Sequence, residues 1–272
     1  MRMSPPTTTK RTSSDGIEFG LGLLTIGKSW GARPRPVPSQ GEASALLDEA
    51  LRLGVRVFDI AASYGDGEAK FGCWLSALDS RSRANLFIAT KFGEHWDAGR
   101  NEPFDDHSRD ALILSLERSL SRLGRIDLLQ VHKTTPHVLE SSSLDEALAA
   151  ARRAGITLFG ASAREEISAR MAIADPRFSQ IQVPYNRDNP RFSDVIGEAT
   201  ANGKLVWTNH PLMMGSLVSA DATVDELAGC FGFVLAKRFT GAVLCGTASA
   251  NHLRANLLAF RQAANARPNP SI

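Results

Sequence analysis

Apolar residues along this chain fall into two alternating rhythms. Short, nearly continuous apolar runs read as buried strands, and longer stretches with apolar positions at i, i+3, i+4 and i+7 read as amphipathic helices. The first run is FGLGLL (19–24), whose glycines suit a place where something approaches the backbone closely. A long loop rich in glycine and proline, Gly27–Pro38, follows it. Within 41–53, Ala43, Leu46, Leu47, Ala50, Leu51 and Leu53 keep helical spacing, Gly54 ends the helix, and Val55–Asp59 reads as a strand. The pair then repeats. Helix Glu68–Leu78 leads to strand Asn85–Thr90, and helix Arg109–Leu123, stopped by Gly124, leads to strand Asp127–Val131. Helix Leu144–Ala154 and Gly155 precede strand Ile156–Gly160, and helix Glu165–Ala174 precedes strand Gln180–Val183. Helix Phe192–Ala201 with Gly203 precedes strand Leu205–Thr208. Helix Val224–Phe239, strand Ala242–Cys245 and helix His252–Ala264 close the series.

Strict alternation of strand and helix implies a parallel sheet. Eight such units in 272 residues predict an α/β chain with a single (β/α)8 TIM barrel. An open, doubly wound sheet is the rival, and no GxGxxG opens its first helix. Asp15-Gly16, between KRTS and IEF, is a turn signal for a short N-terminal hairpin. Residues 1–16 are thus expected as a flexible lead and hairpin, 17–266 as the barrel, and 267–272 as a C-terminal tail.

Composition then removes several function classes. A net charge of +2, with no block of Lys and Arg, gives no reason to expect a nucleic-acid partner. Cys73, Cys230 and Cys245 are odd in number and lack CxxC spacing, so they read as buried thiols rather than disulfides or a metal site. His107, His137, His210 and His252 show no metal-ligand spacing either. No apolar run approaches the roughly 20 residues of a membrane helix. The first residues lack a signal-peptide core, so the default expectation is a cytoplasmic protein, monomeric or homo-oligomeric.

Three strands end in a polar residue that an apolar run would not carry without purpose: Asp59, Lys91 and His132. In a (β/α)8 barrel such ends converge at the mouth where active sites lie, and Tyr64 stands in the loop after the second strand. A lysine beside a tyrosine favours the phenolate and lowers the phenol's pKa, and a carboxylate keeps that lysine charged and oriented. Tyr64 can then give a proton to a carbonyl oxygen while His132 hydrogen-bonds to the same oxygen.

FDIAASYG, ATKFG, SLSRLGRIDLLQVH, GASA, IQVPYN, NHPLMMG and LCGTASANHLRANL resemble, in order, the signatures of the aldo-keto reductase superfamily. The resemblance spans roughly Phe19 to Phe260. It implies an NAD(P)H-dependent reductase that transfers hydride to an aldehyde or ketone, with NADP favoured over NAD by family habit. Carried over by position, Tyr64 is the general acid, His132 orients the carbonyl, and Lys91 and Asp59 tune Tyr64. The implied cofactor-binding residues are Gly22, Leu23, Leu24, Asp59, Ser162, Gln182, Asn209, Pro211, Leu212, Gly246, Thr247, His252 and Asn256. Trp30, His95 and Trp96 stand where the wall of a small-molecule carbonyl pocket would form. Glu68 matches an acid beside the catalytic set and equally suits the first turn of a helix.

The chain also departs from the pattern. Ala163 replaces a usual Asn, Asn209 stands where many members stack an aromatic on the nicotinamide, and Gly246 and His252 replace basic residues near the 2′-phosphate. Arg254 and Lys237 are the candidates to compensate. The segment between strands seven and eight looks trimmed, which would leave a cofactor less covered. Two alternatives therefore stand beside the reductase: an NAD-dependent sugar or alcohol dehydrogenase using the same site, and a cofactor-binding regulatory subunit with little turnover.

Overall fold

The computed structural model describes residues 16–266. Its strands, in chain order, are β1 (Ile17–Gly22), β2 (Val57–Asp59), β3 (Phe87–Phe92), β4 (Glu94–Asp97), β5 (Glu102–Asp105), β6 (Leu128–Thr134), β7 (Leu158–Ala163), β8 (Gln180–Pro184), β9 (Leu205–Asn209) and β10 (Gly241–Gly246). All but β4 and β5 close into a barrel in the order β1-β10-β9-β8-β7-β6-β3-β2, and the pairings within it are parallel. The architecture is the (β/α)8 barrel expected from the alternation.

The helices pack around it with their apolar stripes inward. Helix Gln40–Arg52 buries Ala43, Leu46, Leu47 and Ala50. Its start is a capping box in which Ser39 accepts from the Glu42 amide and Glu42 reaches back to the Ser39 amide. Helix Arg109–Leu123 ends where Gly124 turns left-handed at φ 70°. Inside the barrel, Val57, Ala89, Leu128, Trp207, Ala242 and Leu244 form a small apolar cluster. No helix among the described residues is long and apolar enough to cross a membrane.

Four details differ from the sequence expectation. β1 runs from Ile17 to Gly22 rather than 19–24, because the Leu23 amide bonds to Asp59 O and the chain turns into a short helix, Leu24–Gly27. Ile17–Phe19 therefore pair with β10 as part of the barrel, and the other arm of the expected N-terminal hairpin lies outside the described residues, as do 267–272. The helix expected to reach Phe239 stops at Leu235. Cys73 is exposed, whereas Cys230 and Cys245 are buried. An antiparallel hairpin, β4–β5, was not legible as strands and fills the loop after β3.

Candidate active site

The ends of β2, β3 and β6 bring Asp59, Lys91 and His132 together, and the turn after β2 adds Tyr64. Lys91 and Asp59 are buried and form an ion pair: the Lys91 ammonium donates to Asp59 Oδ1 at 2.7 Å and Oδ2 at 2.6 Å. It also donates to Ile60 O at 2.9 Å and stands 3.5 Å from the Tyr64 hydroxyl. Gln130 Nε2 supplies Asp59 with a further donor at 3.0 Å. Burial alone would lower the Lys91 pKa, but Asp59 and Tyr64 outweigh it and the net direction is up. Lys91 is therefore a fixed positive charge. Burial raises the Tyr64 pKa more than the Lys91 charge lowers it, so the phenol keeps its proton at neutral pH. The expected lowering by lysine is present but is the smaller effect.

Tyr64 is placed by close backbone packing. A Cβ at Gly27 would stand 1.8 Å from Tyr64 O and 2.4 Å from Gly67 N, so only glycine lets the β1 loop approach the Tyr64 turn. His132 faces Tyr64 edge-on, with ring centroids 6.0 Å apart. Its pKa lies well below the ordinary value, first through burial and then through Lys91, Arg164 and Lys133.

A residue that sequence reasoning missed sits behind His132. The buried Glu94, first residue of β4, has Oε2 at 3.1 Å from His132 Nδ1 and accepts from Ser63 Oγ at 2.6 Å. Lys133 Nζ pairs with Glu94 Oε1 and stands 3.1 Å from Asp105 Oδ1 on β5. Gly93, at φ 101°, turns the chain from β3 into this hairpin, and a side chain there would strike the His107 ring. Glu68 does not join the set. It accepts from Thr90 Oγ1, Ser119 Oγ and Arg122 Nη1, tying two helices to β3.

One cavity extends from Tyr64 and Asp59 to the start of helix Ala250–Asn265. Of the residues the resemblance assigns to a cofactor, Gly22, Leu24, Asp59, Gln182, Asn209, Pro211, Leu212, Gly246, Thr247, His252 and Asn256 line it. Leu23 and Ser162 do not: Leu23 is fully buried, and Ser162 lies beside Gln182 in the β7–β8 register. Gln182 Oε1 and Asn209 Oδ1 are buried in the cavity wall without a hydrogen-bond partner among the described residues. Two unmatched acceptors in this wall fit the carboxamide of a nicotinamide, which has two N–H donors. Asn256 Nδ2 is 3.3 Å from Cys245 Sγ, a thiol that burial pushes up to about 12.

Arg254 is drawn away, donating to Glu49 and Asn251, and neither it nor Lys237 lines the cavity. Arg33 and Arg35 of the β1 loop do line it, and they lower the His252 pKa after burial has done so. Arg33 also donates to Gly215 O and Val218 O, and the Ala32 amide to Met214 O. These bonds join the β1 loop to the segment between β9 and β10. The segment between β9 and β10, short as it is, thus forms a wall of the cavity in company with the β1 loop.

The residues expected to line a substrate pocket separate. Trp30 lines the cavity, and Lys28 Nζ lies between it and Trp96, 5.2 and 5.4 Å from the two ring centroids. His95 is taken up inside the hairpin, where Nε2 donates to Asp106 O at 2.8 Å and the ring stacks on Phe104.

Comparison with known proteins agrees with this geometry. The sequence model of the Aldo/keto reductase family matches residues 18–229. An aldo-keto reductase of Mycobacterium ulcerans is 29% identical over 238 residues, covering 82% of this chain and 78% of that protein. The Schizosaccharomyces pombe aldo-keto reductase yakc [NADP(+)] is 31% identical over 238 residues, 82% of this chain and 66% of that protein. A match at 33% identity to the Bacillus subtilis oxidoreductase YqkF covers 44% of this chain and 36% of that protein. A Pseudomonas aeruginosa crystal structure described as an aldo-keto reductase superposes with a TM-score of 0.77 at 27% identity, covering 93% of this chain and 94% of that one. With the family model spanning most of the barrel and the strand-end residues gathered at its mouth, this chain belongs to the aldo/keto reductase family.

Proposed function

We propose that this chain reduces an aldehyde or ketone to the alcohol with NADPH, Tyr64 acting as the general acid. The observation that carries the reading is the bridge made by Lys91 between the Asp59 carboxylate and the Tyr64 hydroxyl, at one end of a long cavity. When bound, the nicotinamide cofactor supplies the hydride. Tyr64 donates its proton to the carbonyl oxygen as negative charge develops there. The Lys91 ammonium, 3.5 Å away, stabilises the phenolate left behind, and Asp59 keeps that ammonium in place. Gln182 and Asn209 hold the carboxamide, and the far end of the cavity takes the adenosine phosphates. Arg35 and Arg33 beside His252 supply the positive charge there, which supports NADP over NAD. A small carbonyl compound is the substrate class, seated toward Trp30.

Oxidation of NADPH with a panel of aldehydes and ketones tests this reading. Tyr64→Phe is expected to lose at least about 100-fold in kcat while binding NADPH normally by fluorescence titration. A Tyr64→Phe protein as active as the wild type sinks the mechanism.

A further inference from the structure

The long cavity carries a charge imbalance. Among the described residues that line it, Asp59 alone is acidic, and Lys91 already neutralises it. Lys28, Arg33 and Arg35 line the same cavity. Burial and then Arg35 and Arg33 lower the His252 pKa, which sets those two guanidiniums at the end proposed for the adenosine phosphates. Lys28 belongs to the other end. Gly27 before it packs so closely on Tyr64 O that a Cβ there would stand 1.8 Å away. Trp96, one of the two rings around the Lys28 ammonium, shares a face of β4 with Glu94, and Glu94 Oε2 lies 3.1 Å from His132 Nδ1. Lys28 thus stands on the side of the mouth that holds Tyr64 and His132.

The way this ammonium is held leaves its charge unspent. Nζ is 5.2 Å from the Trp30 ring centroid and 5.4 Å from that of Trp96, and a ring face attracts a cation without bringing a countercharge. Among the described residues Nζ has neither a carboxylate partner nor a hydrogen-bond acceptor, so its three donors remain available. Lys91 and Lys133, the other lysines at this mouth, are each bound to carboxylates. Trp30 is itself anchored, its Nε1 donating to Met214 Sδ at 3.2 Å, and at 44% exposure it stands at the rim. We propose that Lys28, clamped between Trp30 and Trp96, is a specificity-determining residue that selects a carbonyl substrate bearing an anionic group, a carboxylate or a phosphate. This rests on the reading of Tyr64 as the acid of a carbonyl reductase and narrows its substrate class. The anionic group meets the ammonium at the rim while the carbonyl reaches Tyr64.

Matched substrate pairs reduced with NADPH test this: glyceraldehyde 3-phosphate against glyceraldehyde, and 4-carboxybenzaldehyde against benzaldehyde. The wild type is expected to show a kcat/KM about tenfold or more higher for the anionic member of at least one pair, the size of one hydrogen bond to a charged group. Which pair shows it tells phosphate from carboxylate. Lys28→Met should lower that anionic-to-neutral ratio by about 10- to 100-fold, through KM more than kcat, and Lys28→Arg should retain it. If Lys28→Met does not fold, Lys28→Gln gives the same comparison. Wild-type ratios of one or below in both pairs overturn the proposal, and so does an unchanged ratio in Lys28→Met. A loss in Lys28→Met that is equal for charged and neutral partners makes the clamp a fastener between loop and hairpin. A rise in the Kd for NADPH that matches the loss gives the ammonium to the cofactor. Either result overturns the proposal as well.

Binding without turnover keeps this separate from the Tyr64 reading. Tryptophan fluorescence of the NADP+ complex is followed during titration with glycerol 3-phosphate or glycerol, and with 4-(hydroxymethyl)benzoate or benzyl alcohol. The anionic alcohol of the preferred pair should bind more tightly, in the wild type and in Tyr64→Phe alike. A fully active Tyr64→Phe that keeps this preference removes the general acid and leaves the anion site standing. An inactive Tyr64→Phe beside a wild type with no preference for the anion keeps the acid and overturns the role of Lys28.

Discussion

Lys91→Met removes a buried charge while keeping most of the length of the side chain, and its consequence can be worked from the site. Lys91 is 0% and Asp59 5% exposed by side chain, so neither has water to replace its partner. Breaking such a pair from one side costs about 3–5 kcal/mol, because the remaining charge is left unpaired in the interior. Burial already raises the Asp59 pKa against the opposing Lys91 charge; in the variant only the weaker Gln130 and Gln182 hydrogen bonds oppose it, so the folded pKa rises further above the unfolded value of about 3.9. The sign follows from linkage. A folded carboxyl that holds its proton more tightly than the unfolded one is most stabilising at low pH, and that stability falls as pH rises from the unfolded value through the folded one. Urea unfolding at pH 5, 6, 7 and 8 should therefore show the deficit of Lys91→Met growing with pH, at about 1.4 kcal/mol per unit in the steep region. At pH 7 a loss of this size lowers Tm by roughly 6–20 °C. The double variant Asp59→Asn/Lys91→Met removes both charges and should recover most of the stability and be flat with pH. A Lys91→Met protein as stable as the wild type at pH 8, or one whose deficit is the same at every pH, refutes the buried-pair argument.

Further outcomes follow from other parts of the cavity. Arg35→Ala should weaken NADPH binding about tenfold or more, the cost of one charge-assisted contact, and leave NADH binding within a factor of two; equal effects on both cofactors would remove Arg35 from 2′-phosphate recognition. Gly27→Ala forces a methyl to within 1.8 Å of Tyr64 O, so the Tyr64 turn must move. It should lose about 1–3 kcal/mol of stability and up to roughly 100-fold in kcat with a smaller change in NADPH affinity, and unchanged kcat would show that the turn is not what places the hydroxyl.

The barrel and four of its mouth residues were legible because each is a local property. A buried strand must be apolar along its length, so Asp59, Lys91 and His132 stand out against VRVF, LFIAT and IDLLQV. Helix ends at Gly54, Gly124 and Gly155 are marked by left-handed φ values of 90°, 70° and 89°, which glycine adopts at little cost. Most of the proposed cofactor wall was legible too, though only by resemblance.

What stayed hidden depends on segments far apart in sequence. Glu94 reads as an ordinary polar residue after KFG, and its contacts with Ser63, His132 and Lys133 arise only because β4 folds back under Gly93 and a register shift in β6 accompanies Lys133. Arg33 and Arg35 lie in a loop whose composition says nothing about destination; the bonds from Arg33 to Gly215 and Val218, more than 180 residues on, decide which end of the cavity they face. His95 looked like a pocket residue until the hairpin supplied the Asp106 carbonyl that occupies it. The sequence by itself determined the barrel, the order of its strands and the polar residues at their ends, because periodicity and burial act over a few neighbouring residues. Only the tertiary structure decided which charges meet and where the Arg33 and Arg35 end of the cavity lies, because pairing energies depend on distance and burial, and both are set by contacts between remote segments.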